Sequence, residues 1–212
     1  MRKFGTRFAE RMARPTGALE LMADLGAAMA RGGDADIRML GGGNPARIAP
    51  VEAVYRRRLQ EIAADPPQFG RFIASYPAPA GDLGFREAVA QSLRNEFGWP
   101  LTAGNVGLTS GSQSAFFFLF NLFAGERTDG GRSRILLPLA PEYIGYADVG
   151  LTPGLLHAQP AGIRELDDGY FKYFVDFDRL DVPPDIGALC ISRPTNPSGN
   201  VLTLDELQRL DA

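Results

Sequence analysis

A short segment, residues 110–114 (SGSQS), combines residue types that bind a phosphate or another anion. Gly111 permits a tight turn, and the apolar residues that follow predict a helix over 113–124. The first turn of a helix has backbone N–H groups without intrahelical acceptors and a partial positive charge, so it favours an anion. Neither standard glycine-rich nucleotide motif is present. An ordinary strand-to-helix turn with serine caps remains the alternative.

A second segment, residues 193–199 (RPTNPSG), directly follows the apolar run 188–192. Its two prolines lack backbone N–H donors, and Asn-Pro followed by glycine is typical of a turn. A turn at the carboxyl end of a strand can direct the amide of Asn196 or the guanidinium of Arg193 towards a ligand. A plain turn before a capped helix remains equally open.

Two tyrosines in loops offer an aromatic ring and a hydroxyl. Tyr143 lies in the sequence PEYIGY, and Tyr76 lies in SYP. A ring at such a position can lie flat on a planar ligand, although each tyrosine alone is more typical of packing. The single cysteine, Cys190, and the single histidine, His157, exclude an internal disulfide and argue against a zinc site. We therefore predict no metal site.

Composition limits the possible partners. The 212 residues have a formal net charge of −3, which argues against nucleic-acid binding because that requires a clustered basic face. The longest apolar run, 115–120, is far shorter than the roughly 20 residues that span a membrane. We expect a cytoplasmic protein. Only two lysines are present, Lys3 and Lys172.

The elements that would position these residues follow from the hydrophobic pattern. Besides 113–124, we expect helices over 18–30, over 50–64, from about residue 83 to a stop at Gly98, and from a capping box at Thr203 onwards. We expect a loop over 69–83 and strands at 105–109, 134–137, 155–159 and 188–192. Short apolar strands alternating with helices predict an α/β fold with a mostly parallel sheet and helices on both faces. Ligands bind such sheets at the carboxyl ends of the strands.

Four stretches in this order resemble the N-terminal half of class I/II aminotransferases, which are pyridoxal-phosphate (PLP) enzymes of fold type I. They are LGGGNPA, GSQSAFFFLFNLFAG, PLAPEYIGYAD and SRPTNPSGNVLT, and the resemblance covers essentially the whole chain. It implies a three-layer α/β fold. It also implies an N-terminal helical segment with a substrate-side loop over 1–48, and an incomplete large PLP-binding domain over 49–212.

The resemblance also implies residue roles in binding the cofactor. Gly111, Ser112 and Gln113 resemble the residues whose N–H groups bind the PLP phosphate. Tyr143 matches the aromatic residue stacked on the pyridine ring, and Asn196 matches the residue that hydrogen-bonds the O3′ oxygen.

Two further roles concern the substrate and a neighbouring subunit. Gly43 resembles the loop glycine that borders the substrate carboxylate. Tyr76 matches the tyrosine that reaches the cofactor phosphate of the other subunit, so the resemblance implies a homodimer. The expected substrates are small-molecule amino acids and 2-oxo acids, with valine or a similar small apolar amino acid as donor and pyruvate as acceptor.

The catalytic lysine of the family lies C-terminal to the NP-[ST]-G turn. Neither Lys3 nor Lys172 matches that position, so we expect these 212 residues to contain no catalytic Schiff-base lysine and to be inactive alone. Two alternatives remain: a non-catalytic PLP-binding or regulatory module, and another PLP enzyme of this fold such as a C–S lyase.

Overall fold

The computed structural model describes residues 5–6, 9–10, 13–15, 17–31 and 46–212. The chain divides into two compact units. We call Met1–Gly26 with Ser110–Ala212 the sheet unit, and Ala27–Thr109 the helical unit. Among the described residues, no helix has the length and apolarity needed to cross a membrane. The predicted division into 1–48 and 49–212 is a different one and stays a prediction.

In the described part of the chain, four helices lie between residues 17 and 97, and the last three have identifiable start and stop signals. Their bounds are Gly17–Arg31 (α1), Ala49–Ala64 (α2), Pro66–Ala74 (α3) and Leu83–Phe97 (α4). The carboxylate of Asp82 caps α4 by accepting a hydrogen bond from the Phe85 N–H at 2.8 Å. Gly98 ends α4 with a left-handed backbone, φ = 69°. The helices predicted over 18–30 and 50–64, and the stop at Gly98, are confirmed.

Two predictions for the helical unit are wrong. Helix α3 occupies part of the stretch 69–83 that was expected to be a loop, because Asp65 caps its start and prolines occupy its first turn. No strand forms at 105–109, where a short 3₁₀-helix, Ala103–Asn105, is found instead. The Arg86 guanidinium donates to the carbonyls of Ala103 and Val106, so a side chain satisfies backbone groups that a neighbouring strand would otherwise pair.

The sheet unit contains a four-stranded sheet with β2 at its centre. Its strands are Gly125–Glu126 (β1), Arg132–Ala140 (β2), Leu156–Pro160 (β3) and Ile186–Leu189 (β6). Strand β2 runs parallel to β3 and β6 and antiparallel to the short β1. A separate antiparallel hairpin consists of Gly162–Glu165 (β4) and Phe171–Phe174 (β5). The predicted strands at 134–137, 155–159 and 188–192 are confirmed with shifted ends, as is the mostly parallel α/β class.

Helix α5, Ser112–Phe123, packs only one face on the core of the sheet unit. Phe120 is buried beside Ile135 of β2, and Phe116 packs against the same cluster. Phe118 and Leu122 are more than half exposed. Although the helix is apolar nearly all round, a 3.6-residue period places those two side chains on the face opposite the core.

The last helix, α6 (Leu204–Asp211), begins at the predicted capping box. Thr203 accepts a hydrogen bond from the Glu206 N–H at 3.2 Å, and Glu206 Oε2 accepts from the Thr203 N–H at 2.8 Å. The other carboxylate oxygen accepts from the Val175 N–H at 3.1 Å, next to strand β5. Burial raises the pKa of Glu206, but these hydrogen bonds outweigh it, and the net pKa lies below its ordinary 4.5.

Replacing Glu206 by glutamine is expected to lower the free energy of unfolding by about 1–2 kcal/mol at pH 7, since the amide cannot accept at both positions. A carboxyl whose pKa is lowered in the folded state stabilises the protein above its unfolded pKa, and this contribution is lost as pH falls through the folded value. Denaturant unfolding from pH 7 to pH 3 should therefore show the difference from wild type shrinking below about pH 4.5. The exposed Glu165→Gln is the control. An undiminished difference at pH 3 would contradict the assignment.

Candidate functional site

Three polar segments meet at one edge of the sheet unit. They are the start of α5 at 110–113, the loop 141–146 that follows β2, and the turn 192–200 that follows β6. Because β2 and β6 are parallel neighbours, their carboxyl ends lie side by side and bring the two following segments together. Hydrogen bonds between side chains and backbone join all three segments.

The start of α5 is a glycine turn without a cap from any described side chain. Gly111 occupies the N-cap position with φ = 87° and ψ = 165°, a backbone conformation that favours glycine. Among the described residues, no side chain caps the first turn of α5. A Cβ added at Gly111 would meet no described atom within 4 Å, so space remains beside its Cα. Backbone donors at the positive end of a helix suit a phosphate.

Gln113 has a role that the sequence did not reveal. Its side-chain Nε2 donates to the carbonyl oxygen of Gly145 at 2.8 Å. This bond ties the first turn of α5 to the loop after β2, while the backbone N–H of Gln113 stays in the first turn. The same residue thus positions one segment and offers a donor to a ligand.

The ring of Tyr143 is held by its own loop. It lies so close to Gly145 that a Cβ at that glycine would overlap the ring. Tyr146 contacts it edge to face, with ring centroids 5.3 Å apart and an interplanar angle of 86°. Tyr146 itself is buried among Phe116 and Phe120, so the loop is anchored in the core. Tyr143 is half-buried and retains exposed surface for a partner.

Two side chains of this loop bind the segment after β6. The Glu142 carboxylate accepts from the Tyr143 N–H at 2.8 Å and from the Ser192 N–H at 3.0 Å. The hydroxyls of Tyr146 and Ser192 are 2.9 Å apart. Burial raises the pKa of Tyr146, so this hydroxyl keeps its proton at neutral pH.

The turn around Asn196 is fixed by the residues beside it. Thr195 is buried; its N–H donates to the Asn200 carbonyl at 2.8 Å, and its hydroxyl donates to the Ser192 carbonyl at 2.9 Å. Arg193 donates to the Leu202 carbonyl at 2.7 Å, so its guanidinium is used within the chain. The peptide bond between Asn196 and Pro197 is cis. Asn196 itself is exposed and available to a ligand.

Lys172 lies on strand β5, next to this turn. Its ammonium donates to the Val201 carbonyl at 2.8 Å and to the side-chain oxygen of Asn200 at 3.1 Å. A cavity of about 690 Å³ beside it is lined by residues of the β4–β5 hairpin and of 197–201. The contacts of Lys172 are those of a structural cation that holds the end of the turn.

The single cysteine and the single histidine both contact neighbouring side chains of the sheet unit. Burial raises the pKa of the Cys190 thiol to about 11, so it is not a thiolate at neutral pH. His157 Nδ1 lies 3.1 Å from an Arg134 guanidinium nitrogen, and its Nε2 lies 2.9 Å from the amide of Gln159. Among the described residues, no group of His, Cys, Asp and Glu could hold a metal ion.

The structure does not test the roles of the other two predicted site residues. Tyr76 belongs to the helical unit, where its side chain is fully exposed. Gly43 lies outside the described residues. Their predicted roles therefore stay predictions.

Sequence reasoning missed four contributors to the site: Glu142, Thr195, Lys172 and the side chain of Gln113. Only Glu142 had a signal in the sequence, because it lies next to Tyr143 in a loop that directly follows a strand. The partners of Gln113 and Lys172 are distant in sequence, and those of Thr195 lie within its own turn, so none of them could be inferred from spacing.

Known proteins are similar to this chain in both sequence and fold. The valine–pyruvate aminotransferase of Escherichia coli (strain K12) is 43% identical over 208 residues, which covers 97% of this chain and 48% of the relative. A crystal structure from Psychrobacter arcticum 273-4, described as an amino-acid aminotransferase, matches 100% of this chain and 52% of its own length, with a TM-score of 0.85 and 40% identity. The chain is a homologue of the aminotransferases of fold type I. This confirms the predicted family and fold class.

The match to the aminotransferases is partial in length. The valine–pyruvate aminotransferase of Salmonella typhimurium LT2 has a TM-score of 0.73 and 40% identity, covering 92% of this chain and 46% of that protein. The chain thus spans about half the length of the aminotransferases it matches. No protein-family model matches it. Aminotransferases of fold type I use PLP as their cofactor.

Proposed function

We propose that this chain forms the non-covalent half of a PLP site in an aminotransferase that exchanges an amino group between valine, or a similar small apolar amino acid, and pyruvate. The observation that supports this most is the joining of the α5 start, the Tyr143 loop and the Asn196 turn by the bonds of Gln113 and Glu142. The three segments offer the donors and the ring surface that PLP requires, in one place.

The chemistry of these groups fits the parts of PLP. The first turn of α5 at Gly111, Ser112 and Gln113 supplies N–H donors and positive potential for a dianionic phosphate. Tyr143 presents a ring held at a fixed angle, on which a pyridine ring can stack. The Asn196 amide can donate a hydrogen bond to a ring oxygen.

Each of these residues orients the cofactor rather than reacting with it. PLP supplies an electron sink that stabilises negative charge at the α-carbon of an amino acid. The helix start fixes the phosphate, and Tyr143 fixes the plane of the ring. Asn196 holds the O3′ oxygen and thereby limits rotation of the ring within that plane. Positioning of this kind is worth several orders of magnitude in rate because the reacting groups no longer have to find each other.

The groups that move protons and the cation that pairs with the substrate carboxylate are proposed to lie beyond these 212 residues. Lys172 is the only lysine in the described part of the chain, and its ammonium already binds the carbonyl of Val201 and the side chain of Asn200. We therefore assign it no covalent role. The proposal keeps Gly43 at the substrate carboxylate and Tyr76 at the phosphate of a second subunit, which requires a homodimer. It also keeps a cytoplasmic location.

The test is a transamination assay of the full-length protein loaded with PLP. Valine and pyruvate should give alanine and the 2-oxo acid of valine in equal amounts, and a panel of amino donors should favour small apolar side chains. Release of sulfide and pyruvate from a cysteine-type substrate would identify a C–S lyase instead. PLP binding without turnover of any donor would favour a regulatory module.

A further inference from the structure

The carboxylate of Glu142 occupies a position between two segments of the proposed PLP site. One oxygen accepts the N–H of Tyr143, the residue that follows it, and the other accepts the N–H of Ser192, fifty residues further along the chain. Hydrogen bonds to an ionised acceptor are stronger than those between neutral groups. Both backbone groups belong to segments that carry a proposed ligand-binding side chain.

We propose that Glu142 is a positioning residue that sets the distance between Tyr143 and Asn196 before the cofactor binds. The inference rests on the proposed function, because it concerns the two residues that hold the pyridine ring. It assigns to Glu142 no contact with the substrate or with the reacting atoms.

The contacts form a continuous path from one side chain to the other. Glu142 binds the Ser192 N–H, and the carbonyl of Ser192 accepts the hydroxyl of Thr195 at 2.9 Å. Thr195 is buried and precedes Asn196 directly. Both hydrogen bonds of this path have a backbone group as one partner. The path therefore constrains the course of the main chain in both segments.

Only a carboxylate fits this position well. Two backbone donors point at its two oxygens, and an amide in its place would turn its own N–H₂ group towards one of them. Glutamine therefore keeps one of the two bonds, whereas alanine keeps neither. The contact between the Tyr146 and Ser192 hydroxyls remains in both variants and continues to join the segments loosely.

The first measurement compares the affinities for PLP and for inorganic phosphate, which distinguishes a positioning role from a general loss of structure at the site. Inorganic phosphate tests the start of α5 alone, while PLP tests that helix start together with Tyr143 and Asn196. In the full-length protein, Glu142→Ala is expected to weaken PLP binding about tenfold and Glu142→Gln by a smaller factor. The affinity for inorganic phosphate should stay within twofold of wild type. Glu126→Gln, on strand β1, is the matched control and should change neither affinity.

The second readout needs no cofactor. In the apo protein, hydrogen exchange at the amides of Tyr143 and Ser192 should accelerate in Glu142→Ala and less in Glu142→Gln, while strands β2 and β3 keep their protection. Unchanged exchange at both amides, or an equal loss of phosphate and PLP affinity, would overturn the positioning role. A wild-type protein that binds no PLP would refute the proposed function and with it the role of Glu142 in that site. The exchange data would still decide whether the carboxylate joins the two segments.

Discussion

Replacing Asn196 by alanine is expected to lower kcat/KM of the full-length enzyme for valine about 100-fold. The side chain is exposed at the edge of the proposed site, so its removal takes away a contact with the cofactor and leaves the fold intact. The turn itself is held by Thr195, Arg193 and Lys172, whose hydrogen bonds the substitution does not touch. Steady-state kinetics at saturating PLP measures the effect.

A matched control for this substitution is Asn95→Ala, which removes an exposed asparagine side chain from helix α4. It should leave kcat/KM unchanged. The free energy of unfolding should change by less than about 0.5 kcal/mol in Asn196→Ala, as for an ordinary surface position. An enzyme that keeps full activity after Asn196→Ala would show that this turn does not contact the cofactor.

Gly187→Ala is expected to be the most destabilising single substitution that we propose, at about 3 kcal/mol. Gly187 lies on strand β6, directly against the carbonyl oxygen of Phe123 at the end of helix α5. An added Cβ would overlap that oxygen and also come within 3.3 Å of the Ser133 side chain. Because the opposing atom belongs to the backbone, relief requires α5 to move away from the sheet.

Movement of α5 would also displace the proposed phosphate-binding turn at its other end. We therefore expect Gly187→Ala to weaken PLP binding as well as stability, measured by denaturant unfolding and by PLP titration. Gly70→Ala is the control, since a Cβ there meets no atom within 4 Å and Gly70 lies inside helix α3. It should stabilise the protein by about 0.5–1 kcal/mol. Wild-type stability in Gly187→Ala would contradict the close packing of β6 against α5.

The parts of the fold that the sequence predicted well have local causes. The capping box at Thr203, the left-handed Gly98 and the apolar run of β2 act through neighbouring residues, so their pattern is visible in the chain itself. Helix α3 also has a local cause, the Asp65 cap, whereas the missing strand at 105–109 has a non-local one. The stretch 105–109 is apolar enough for a strand, but Arg86 from helix α4 donates to the carbonyl of Val106 within it and to that of Ala103 just before it.

The candidate site also has a part that could be predicted from the sequence and a part that could not. Strand-end position and glycine content drew attention to Gly111 and Asn196, and the resemblance to aminotransferases added a role for each. What joins the segments could not be read from the chain, because the partners of Gln113 and Glu142 lie 32 and 50 residues away. The exposure of half of α5 was also unpredictable, since an apolar helix has no polar face to indicate which side meets solvent.

A crystal structure of the full-length protein with PLP tests the central claim most directly. We predict the phosphate at the N–H groups of Gly111, Ser112 and Gln113, the pyridine ring on Tyr143, and the O3′ oxygen within hydrogen-bond distance of Asn196. Finding PLP in the cavity beside Lys172, or bound away from all three segments, would contradict the account.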